Sequence, residues 1–165
     1  MTLKDDKGNA IANTNVKVKI SGKTYTIKTN SKGQASLAIN LAPNTYSTTI
    51  TFEGNSQYSS ASCQVKVVIK KATPKLTANK KTFKVSAKTK KYTITLKNNL
   101  GKVMKNTKVT IKVNGKTYTV KTNSKGQATF TLKITKKGTY KATIKYNGDK
   151  YYNSVTKTAT ITVKK

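Results

Sequence analysis

The residues that most often carry acid–base chemistry are scarce in this sequence. It has no histidine, and its only carboxylic side chains are Asp5, Asp6, Glu53 and Asp149. Histidine is the commonest general base, so a serine triad would lack its base, and a zinc site would lack ligands. We therefore expect no enzymatic activity, no cofactor and no metal site.

A self-formed cross-link is the remaining covalent chemistry, because lysine, asparagine, threonine and glutamine are all present. Some surface domains join Lys to Asn through an amide, or Thr to Gln through an ester, beside a buried acid. Asp149 falls in a predicted turn, and Glu53 follows Phe52 at a predicted strand end, so neither is well placed for that role. The sequence disfavours such a cross-link, and one carboxylate at Asp149 makes a poor calcium site.

The charge of the chain is its most unusual property. The net charge is +30, and every basic residue is lysine. A bias toward A/T-rich codons is one explanation that fits this composition, and the charge will in any case attract polyanions in a salt-dependent way. Specific nucleic-acid recognition favours arginine, so we expect none. The candidate polyanion contacts are Lys116, Lys121, Lys125, Lys141 and Lys145.

The single cysteine, Cys63, excludes an internal disulfide. Its counterpart in an internal repeat described below is Lys157, so we expect it to be exposed. No run of about 20 apolar residues is present, and we expect no membrane insertion. No leader pattern is present at the N-terminus, so we recognise no targeting signal in the sequence as given.

All of these residues lie within a long internal repeat. Leu3 aligns with Leu96, 93 positions later, and the match continues to Lys71 and Lys165 with one extra residue near 136–138. It includes "SGKTYTIKTNSKGQASL" and its near copy "NGKTYTVKTNSKGQATF". A repeat of this length is typical of tandem small domains. We predict two domains, 1–71 and 72–165.

Each copy alternates apolar and polar residues with a period of two, which predicts strands with one buried face. Val109, Ile111 and Val113 show the pattern, and turn residues separate such runs. The predicted turn residues are Gly22, Gly33, Gly54, Asn114, Gly115, Gly126, Gly138 and Gly148. Several short strands per copy favour a β-sandwich. The duplicated phrase is interpreted as two consecutive hairpins.

The first copy is less complete than the second. Residues 72–95 precede the second copy, with Pro74 at the start of an edge strand and further strands at 82–87 and 92–96. No equivalent precedes the first copy. We expect either a fragment of a longer array or a first domain that lacks one or two strands, whose open edge would invite strand addition from a neighbour.

Three tyrosine pairs recur in both copies, which favours core or corner positions with bonded hydroxyls. They are Tyr25 and Tyr118, Tyr46 and Tyr140, and Tyr58 and Tyr152. Tyr151 has Gln57 as its counterpart, so we expect it to be exposed. Beside Lys150 it could stack on a sugar ring or a base.

The second copy resembles the bacterial Ig-like (Big) repeat domains. The resemblance rests on "TNSKGQATFTL", "GTYKATIKYNGDKYYNS" and "TATITVKK". The first copy departs from it where Pro43-Asn44 replaces the glycine and Asn55 replaces the aspartate. The Lys/Asn/Thr-rich composition is similar to adhesin-like surface proteins of methanogenic archaea and of bacteria. The resemblance implies two tandem Ig-like β-sandwiches.

The same resemblance implies an extracellular, cell-surface protein that is not an enzyme. It would act as a stalk or spacer with weak adhesion, and its partners would be neighbouring Ig-like repeats of the same parent chain. The alternative is a lysine-rich module that binds polyanions, either anionic cell-wall polymers or nucleic acid. Binding that survives about 0.3 M salt would favour the alternative.

Overall fold

Every regular element of the protein is a β-strand. The computed structural model describes residues 1–165, and it divides them into two compact units, Met1–Lys70 (unit 1) and Lys71–Lys165 (unit 2). The strands are β1 (Asn15–Ile20), β2 (Lys23–Lys28), β3 (Asn44–Phe52), β4 (Ala61–Ile69), β5 (Lys75–Thr77), β6 (Lys81–Lys84), β7 (Lys90–Lys97), β8 (Lys108–Val113), β9 (Lys116–Lys121), β10 (Gln127–Leu132), β11 (Gly138–Tyr146) and β12 (Val155–Lys164). The all-β prediction is confirmed. No helix is long and apolar enough to cross a membrane.

Unit 2 is a two-sheet sandwich. One sheet has the strand order β10-β7-β5, and the other has the order β6-β12-β11-β8-β9. Apolar residues from both sheets form one buried cluster. The distribution of consecutive strands between two facing sheets is that of an immunoglobulin-like sandwich.

The alternation in the sequence builds this core directly. In β7 the side chains of Tyr92, Ile94 and Leu96 are buried while the residues between them face outward or are half-buried. From the facing sheet, Ile111 and Ile144 are fully buried against them. Burying each such side chain stabilises the fold by about 1.5–3 kcal/mol.

A tight turn joins β8 to β9. Asn114 and Gly115 both have positive φ, at 47° and 71°, and Val113 pairs with Lys116 across the turn. Two left-handed residues give the turn a twist that matches the twist of the flanking strands. This turn therefore sets the β8–β9 register.

The second half of the duplicated phrase is not a hairpin, which corrects the sequence interpretation. β9 pairs with β8, whereas β10 pairs with β7 in the other sheet. The turn at Asn123–Gly126 thus carries the chain across the sandwich. Local turn residues do not specify the strand that the chain pairs with next. The pairing depends on tertiary packing, since Phe130 of β10 is buried between the sheets.

A second correction concerns the predicted strand at residues 82–87. β6 ends at Lys84, and Val85 lies beyond it with 37% of its surface exposed. The N–H of Ala87 donates to the Lys84 carbonyl and closes a turn. This turn ends the strand three residues earlier than the apolar alternation suggested.

Unit 1 contains one sheet, with the order β2-β1-β3-β4. Residues 34–39, which align with β10, form no strand, and Gln34 makes an isolated bridge with Thr2. Nothing in unit 1 corresponds to β5 or β6. The β-sandwich predicted for both copies is therefore two-sheeted only in unit 2.

Candidate functional site

Two of the four acidic residues, Asp5 and Asp149, act as turn caps. The Oδ1 atom of Asp5 accepts hydrogen bonds from the backbone N–H groups of Asn9 at 2.7 Å and Lys7 at 3.1 Å. The aligned Asn98 accepts the same two bonds, at 2.9 and 3.0 Å, in unit 2. Asp and Asn side chains cap turns in this way without any need for charge. Asp5 is thus accounted for by local structure.

Asp149 has the same role in another turn. Its Oδ1 accepts from the N–H groups of Tyr151 and Tyr152, at 2.8 and 2.9 Å. In unit 1, Asn55 makes the equivalent pair of bonds, both at 2.9 Å. An amide therefore replaces the carboxylate at this position without loss of the turn.

The titration of Asp149 reflects these contacts. Partial burial raises the pKa of Asp149, but the nearby Tyr146 hydroxyl, the two backbone N–H groups and the charge of Lys71 together hold it below its ordinary value. The Tyr146 hydroxyl itself is buried with no hydrogen bond of ordinary geometry, and burial followed by proximity to Asp149 raises its pKa. For Asp5, the side-chain bond from Asn9 is the main cause of a lowered pKa.

The remaining acids make no catalytic arrangement. Glu53 is exposed and pairs with Lys17 at 2.5 Å across β1 and β3, and Asp6 is exposed in a turn. No three metal-ligating side chains converge anywhere in the chain. No acid is buried, so the buried carboxylate that a Lys–Asn or Thr–Gln cross-link needs is missing.

Sequence reasoning missed the residue that anchors the duplicated phrase. Thr122 and its counterpart Thr29 are buried, and each hydroxyl bonds two backbone groups of a neighbouring segment. The next residue, Asn123, accepts bonds from the N–H groups of Lys125 and Gln127. The repetition of "KTNSKGQ" was the available signal, but it does not reveal which of its residues is buried.

The predicted turn residues all lie at positive φ, but Gly138 is the first residue of β11 and pairs with Val163, so the structure places it in a strand and not in a turn. The values are 76° for Gly22, 69° for Gly33, 85° for Gly54, 47° for Asn114, 71° for Gly115, 71° for Gly126, 154° for Gly138 and 80° for Gly148. Gly126 also lies against another strand, since a Cβ there would come within 2.7 Å of the Leu96 carbonyl oxygen. These residues shape the fold.

One of the recurring tyrosine pairs, Tyr46 and Tyr140, ties a loop to a strand. The hydroxyl of Tyr140 donates to the Lys136 carbonyl at 2.9 Å, and that of Tyr46 donates to the Ala42 carbonyl at 2.8 Å. These bonds confirm the predicted corner role of this pair. Tyr151 is 52% exposed, as predicted, and the Lys150 ammonium lies 5.6 Å from its ring centre.

One face of unit 2 gathers lysine and threonine. On the five-stranded sheet, pairs such as Lys145–Thr110, Thr143–Lys112 and Thr160–Lys141 point away from the core. We call this surface the Lys/Thr face; its members are Lys84, Lys108, Lys112, Lys121, Lys141, Lys145, Lys164, Thr82, Thr110, Thr117, Thr119, Thr139, Thr143, Thr156, Thr158, Thr160 and Thr162. No acidic residue lies among them.

The five lysines proposed from the sequence do not form one cluster. Lys121, Lys141 and Lys145 belong to the Lys/Thr face. Lys116 stands at the β8–β9 turn opposite Val113, on the other side of the sheet, and Lys125 is in the turn before β10. All five are exposed. Unit 2 carries 25 lysines against one acid, whereas unit 1 carries nine lysines and three acids.

The other distinctive surface is the uncovered side of the unit 1 sheet. We call it the open face; Ile50, Val65 and Val67 form its floor, and Leu37 and Ile39 lie at its rim. It encloses a groove of about 320 Å³. Val65 is 41% exposed here, and the exposed Cys63 lies at one end of the same strand face.

No protein-family model and no curated protein sequence matches the chain. Fibronectin(III)-like modules of CbhA from Clostridium thermocellum match at 15% identity with a TM-score of 0.43, over 99% of this chain and 82% of that one. Invasin, a bacterial integrin-binding protein, matches at 21% identity with a TM-score of 0.47, over 94% of this chain and 34% of that one.

A Ca²⁺-stabilized adhesin that helps an Antarctic bacterium bind ice matches at 16% identity with a TM-score of 0.35, over 95% of this chain and 42% of that one. The chain thus spans less than half the length of the invasin and adhesin chains. At these identities and TM-scores the similarity is distant, and nothing about the ligand or the location of this chain follows from it.

Proposed function

We propose that this chain is a load-bearing module of a prokaryotic cell-surface protein, acting outside the cell as a stalk or spacer with weak adhesion. Neighbouring Ig-like repeats of the same parent chain would be its partners. The observation that supports this role best is a strand pair in the larger sheet of unit 2, formed by β6 and β12, which are the first and last strands of that sheet in chain order. β6 runs parallel to β12, with Lys81 opposite Ile161 and Lys84 opposite Lys164.

This parallel pair governs how unit 2 responds to tension. A pull on the two ends of the unit draws β6 toward the N-terminus and β12 toward the C-terminus, so the strands slide past each other. All hydrogen bonds of the pair are then loaded together instead of one after another. The N–H of Val85 adds a further bond of 2.7 Å to the Lys164 carbonyl at the end of the pair.

Single-molecule pulling tests the proposal. Val85→Pro removes the N–H that bonds Lys164 while leaving the core intact. Ser124→Pro is the matched control, because Ser124 is the second residue of a turn, where proline is favoured. We expect a high unfolding force for unit 2 that Val85→Pro lowers and Ser124→Pro leaves unchanged. Equal forces in all three proteins would contradict the load-bearing role.

The proposed location needs its own measurement. We expect antibodies raised against unit 2 to label intact cells that produce the parent protein. We also expect protease added outside those cells to remove the label. Labelling that appears only after the cells are broken open would exclude the stalk.

A second candidate function is polyanion binding, favoured by the Lys/Thr face. Its seven lysines and ten threonines lie on one sheet face without an intervening acid. Successive outward residues on a strand are about 7 Å apart and neighbouring strands about 4.8 Å apart, so lysine positions on neighbouring strands lie close together. A linear polymer of phosphates or carboxylates could contact several of them at once.

Charge removal from the face tests this candidate. We expect Lys112→Gln, Lys141→Gln and Lys145→Gln together to weaken binding to single-stranded DNA, used as a generic polyphosphate. The slope of log affinity against log salt would fall by about 0.7 per lost contact. A control with Lys102→Gln, Lys105→Gln and Lys133→Gln removes the same charge elsewhere on unit 2. Equal losses in both proteins would show attraction by net charge alone.

A further inference from the structure

Unit 2 shows what covers the side of the sheet that unit 1 leaves open. Ile144 and Ile161 are fully buried beneath the β7 side chains Tyr92 and Ile94. Their aligned residues in unit 1 are Ile50 and Val67, and these are only half-buried. The floor of the open face is apolar although no second sheet lies over it.

The first residues of unit 1 already occupy the end of the missing strand. The N–H of Leu3 donates to the Gly33 carbonyl at 2.8 Å, and the aligned Leu96 donates to the Gly126 carbonyl at 2.8 Å. The ammonium group of Met1 donates to the Ala35 carbonyl at 3.0 Å. The register of unit 2 is thus reproduced in residues 1–3.

Beyond this point the pairing in unit 1 stops. In unit 2, Phe130 pairs with Tyr92 and Leu132 pairs with Lys90. The aligned Leu37 and Ile39 have no strand beside them, and Ile39 is 37% exposed. The backbone of residues 36–39 is a free edge that an antiparallel strand would complete.

The outer edge of β4 is free in the same way. In unit 2, the aligned edge of β12 pairs with β6. In unit 1, β4 pairs only with β3, and no strand takes the position of β6. Residues 67–70 therefore present a second free edge, which a parallel strand would complete.

We propose that the open face of unit 1 binds an extended segment with the residue pattern of 72–93, donated by a neighbouring repeat of the same kind. Its first part would pair antiparallel with residues 2–4, as β5 does with residues 95–97. Its middle part would pair in parallel with residues 67–70, as β6 does with residues 161–164. Its last part would pair antiparallel with residues 36–39 and end beside Met1. The aligned segment of unit 2 makes these contacts with its own sheet.

The unpaired backbone favours this occupant over a second open face. Two open faces packed together would bury apolar side chains but leave both strand edges unpaired, whereas added strands satisfy the edges as well. The inference draws on the proposed neighbouring repeats but not on load-bearing by unit 2.

Peptide complementation tests the proposal on the full chain. A synthetic peptide of residues 72–93, labelled with a fluorophore, is titrated with the protein, and unfolding is followed with and without peptide. We expect saturable binding and a rise of at least about 5 °C in the unfolding temperature of unit 1, since about 1 kcal/mol shifts a domain of this size by 4–8 °C. A peptide carrying Leu76→Lys and Tyr92→Lys should not bind.

Two variants of β4 locate the site. Val65 and Val68 are both exposed, at 41% and 58%, but they face opposite sides of the sheet, so lysine at either position leaves the fold intact. We expect Val65→Lys to weaken peptide binding at least tenfold and Val68→Lys to leave it unchanged. Equal effects of the two substitutions would overturn the proposal.

A fused chain covers the case in which the free peptide binds too weakly to detect. Placing residues 72–93 directly before Met1 raises the effective concentration of the segment to the millimolar range. We expect the unfolding temperature of unit 1 to rise in this chain and Val65→Lys to cancel the rise. No rise would overturn the proposal, as would a dimer of the original chain that Val65→Lys abolishes. A failed pulling experiment on unit 2 would leave this result unaffected.

Discussion

The hydroxyl of Thr122 donates a buried hydrogen bond of 2.6 Å to the carbonyl oxygen of Met104. The hydroxyl oxygen of Thr122 also accepts a bond from the Thr107 N–H at 2.9 Å, so one side chain satisfies two backbone groups in the turn before β8. Thr29 makes the equivalent bonds to Ile11 and Thr14 in unit 1, at 2.9 and 3.0 Å. The duplicated phrase is therefore anchored in both units by the same buried threonine.

Thr122→Val should destabilise unit 2. Valine keeps the shape but leaves the Met104 carbonyl and the Thr107 N–H unpaired, at a cost of about 1–3 kcal/mol. Thr122→Ser should recover much of this loss because it restores the hydroxyl. Thr119→Val, on the exposed Lys/Thr face, should change stability by less than about 0.5 kcal/mol. Chemical denaturation measures all three, and equal losses for Thr122→Val and Thr119→Val would refute the anchoring role.

Gly126→Ala should cost more than Gly115→Ala. Both glycines have a φ of 71°, so the left-handed backbone conformation costs alanine about 1–2 kcal/mol at each position. A Cβ at Gly115 meets nothing within 4 Å, whereas one at Gly126 would lie 2.7 Å from the Leu96 carbonyl oxygen. We expect a further loss of about 1–3 kcal/mol at Gly126, because the backbone must shift. Equal unfolding free energies would show that the close approach is relieved without cost.

Asp149→Asn should leave unit 2 folded and remove part of its acid sensitivity. The native pKa of Asp149 is held below the ordinary value of 3.8, so its contribution to stability is present above that pH. It is lost as the pH falls through the native pKa. The asparagine variant keeps the turn, as Asn55 does in unit 1.

Unfolding temperatures between pH 2 and pH 6 measure this effect. The wild-type curve should fall more steeply below about pH 4 than the curve of the asparagine variant. Asp149→Ala is the control, since it loses both bonds to Tyr151 and Tyr152 and should be less stable at every pH. Parallel curves for the wild type and Asp149→Asn would contradict the prediction.

Ile144→Ala should destabilise its unit more than Ile50→Ala. The two positions align in the repeat, but Ile144 is fully buried between two sheets and Ile50 is half-buried on the open face. Cavity formation at Ile144 should cost about 2–5 kcal/mol. At Ile50 about 1–2 kcal/mol is expected, because less apolar surface is lost from a buried site. Chemical denaturation of the two variants measures the loss of unfolding free energy. Equal losses would indicate that the core of unit 1 is closed.

Much of the secondary structure was accessible from local patterns. The alternation through Tyr92, Ile94 and Leu96 predicted a strand, and all three side chains are buried in β7. Asn114-Gly115 predicted a two-residue turn, and both residues have positive φ. These features depend on residues a few positions apart, whose preferences act before distant segments meet.

Pairing between distant strands was less accessible. The turn ending at Gly126 has the same residues whether the chain returns along one sheet or crosses to the other, and β10 pairs with β7 because Phe130 is buried there. The prediction of lysines that would contact a polyanion was limited for the same reason. Lys141 and Lys145 share a face, but Lys116 does not, because sheet register sorts lysines that the sequence treats alike.

The sequence by itself determined that the chain is made of β-strands, that a set of turn residues recurs about 93 positions later in the chain, and that histidine is absent. Composition and short-range spacing are sufficient for these conclusions. The tertiary structure alone decided that Thr122 is buried, that β6 runs parallel to β12, and that the sheet of unit 1 lacks a cover. Each of these depends on which distant segments exclude water from one another, and local residue preferences do not encode that choice.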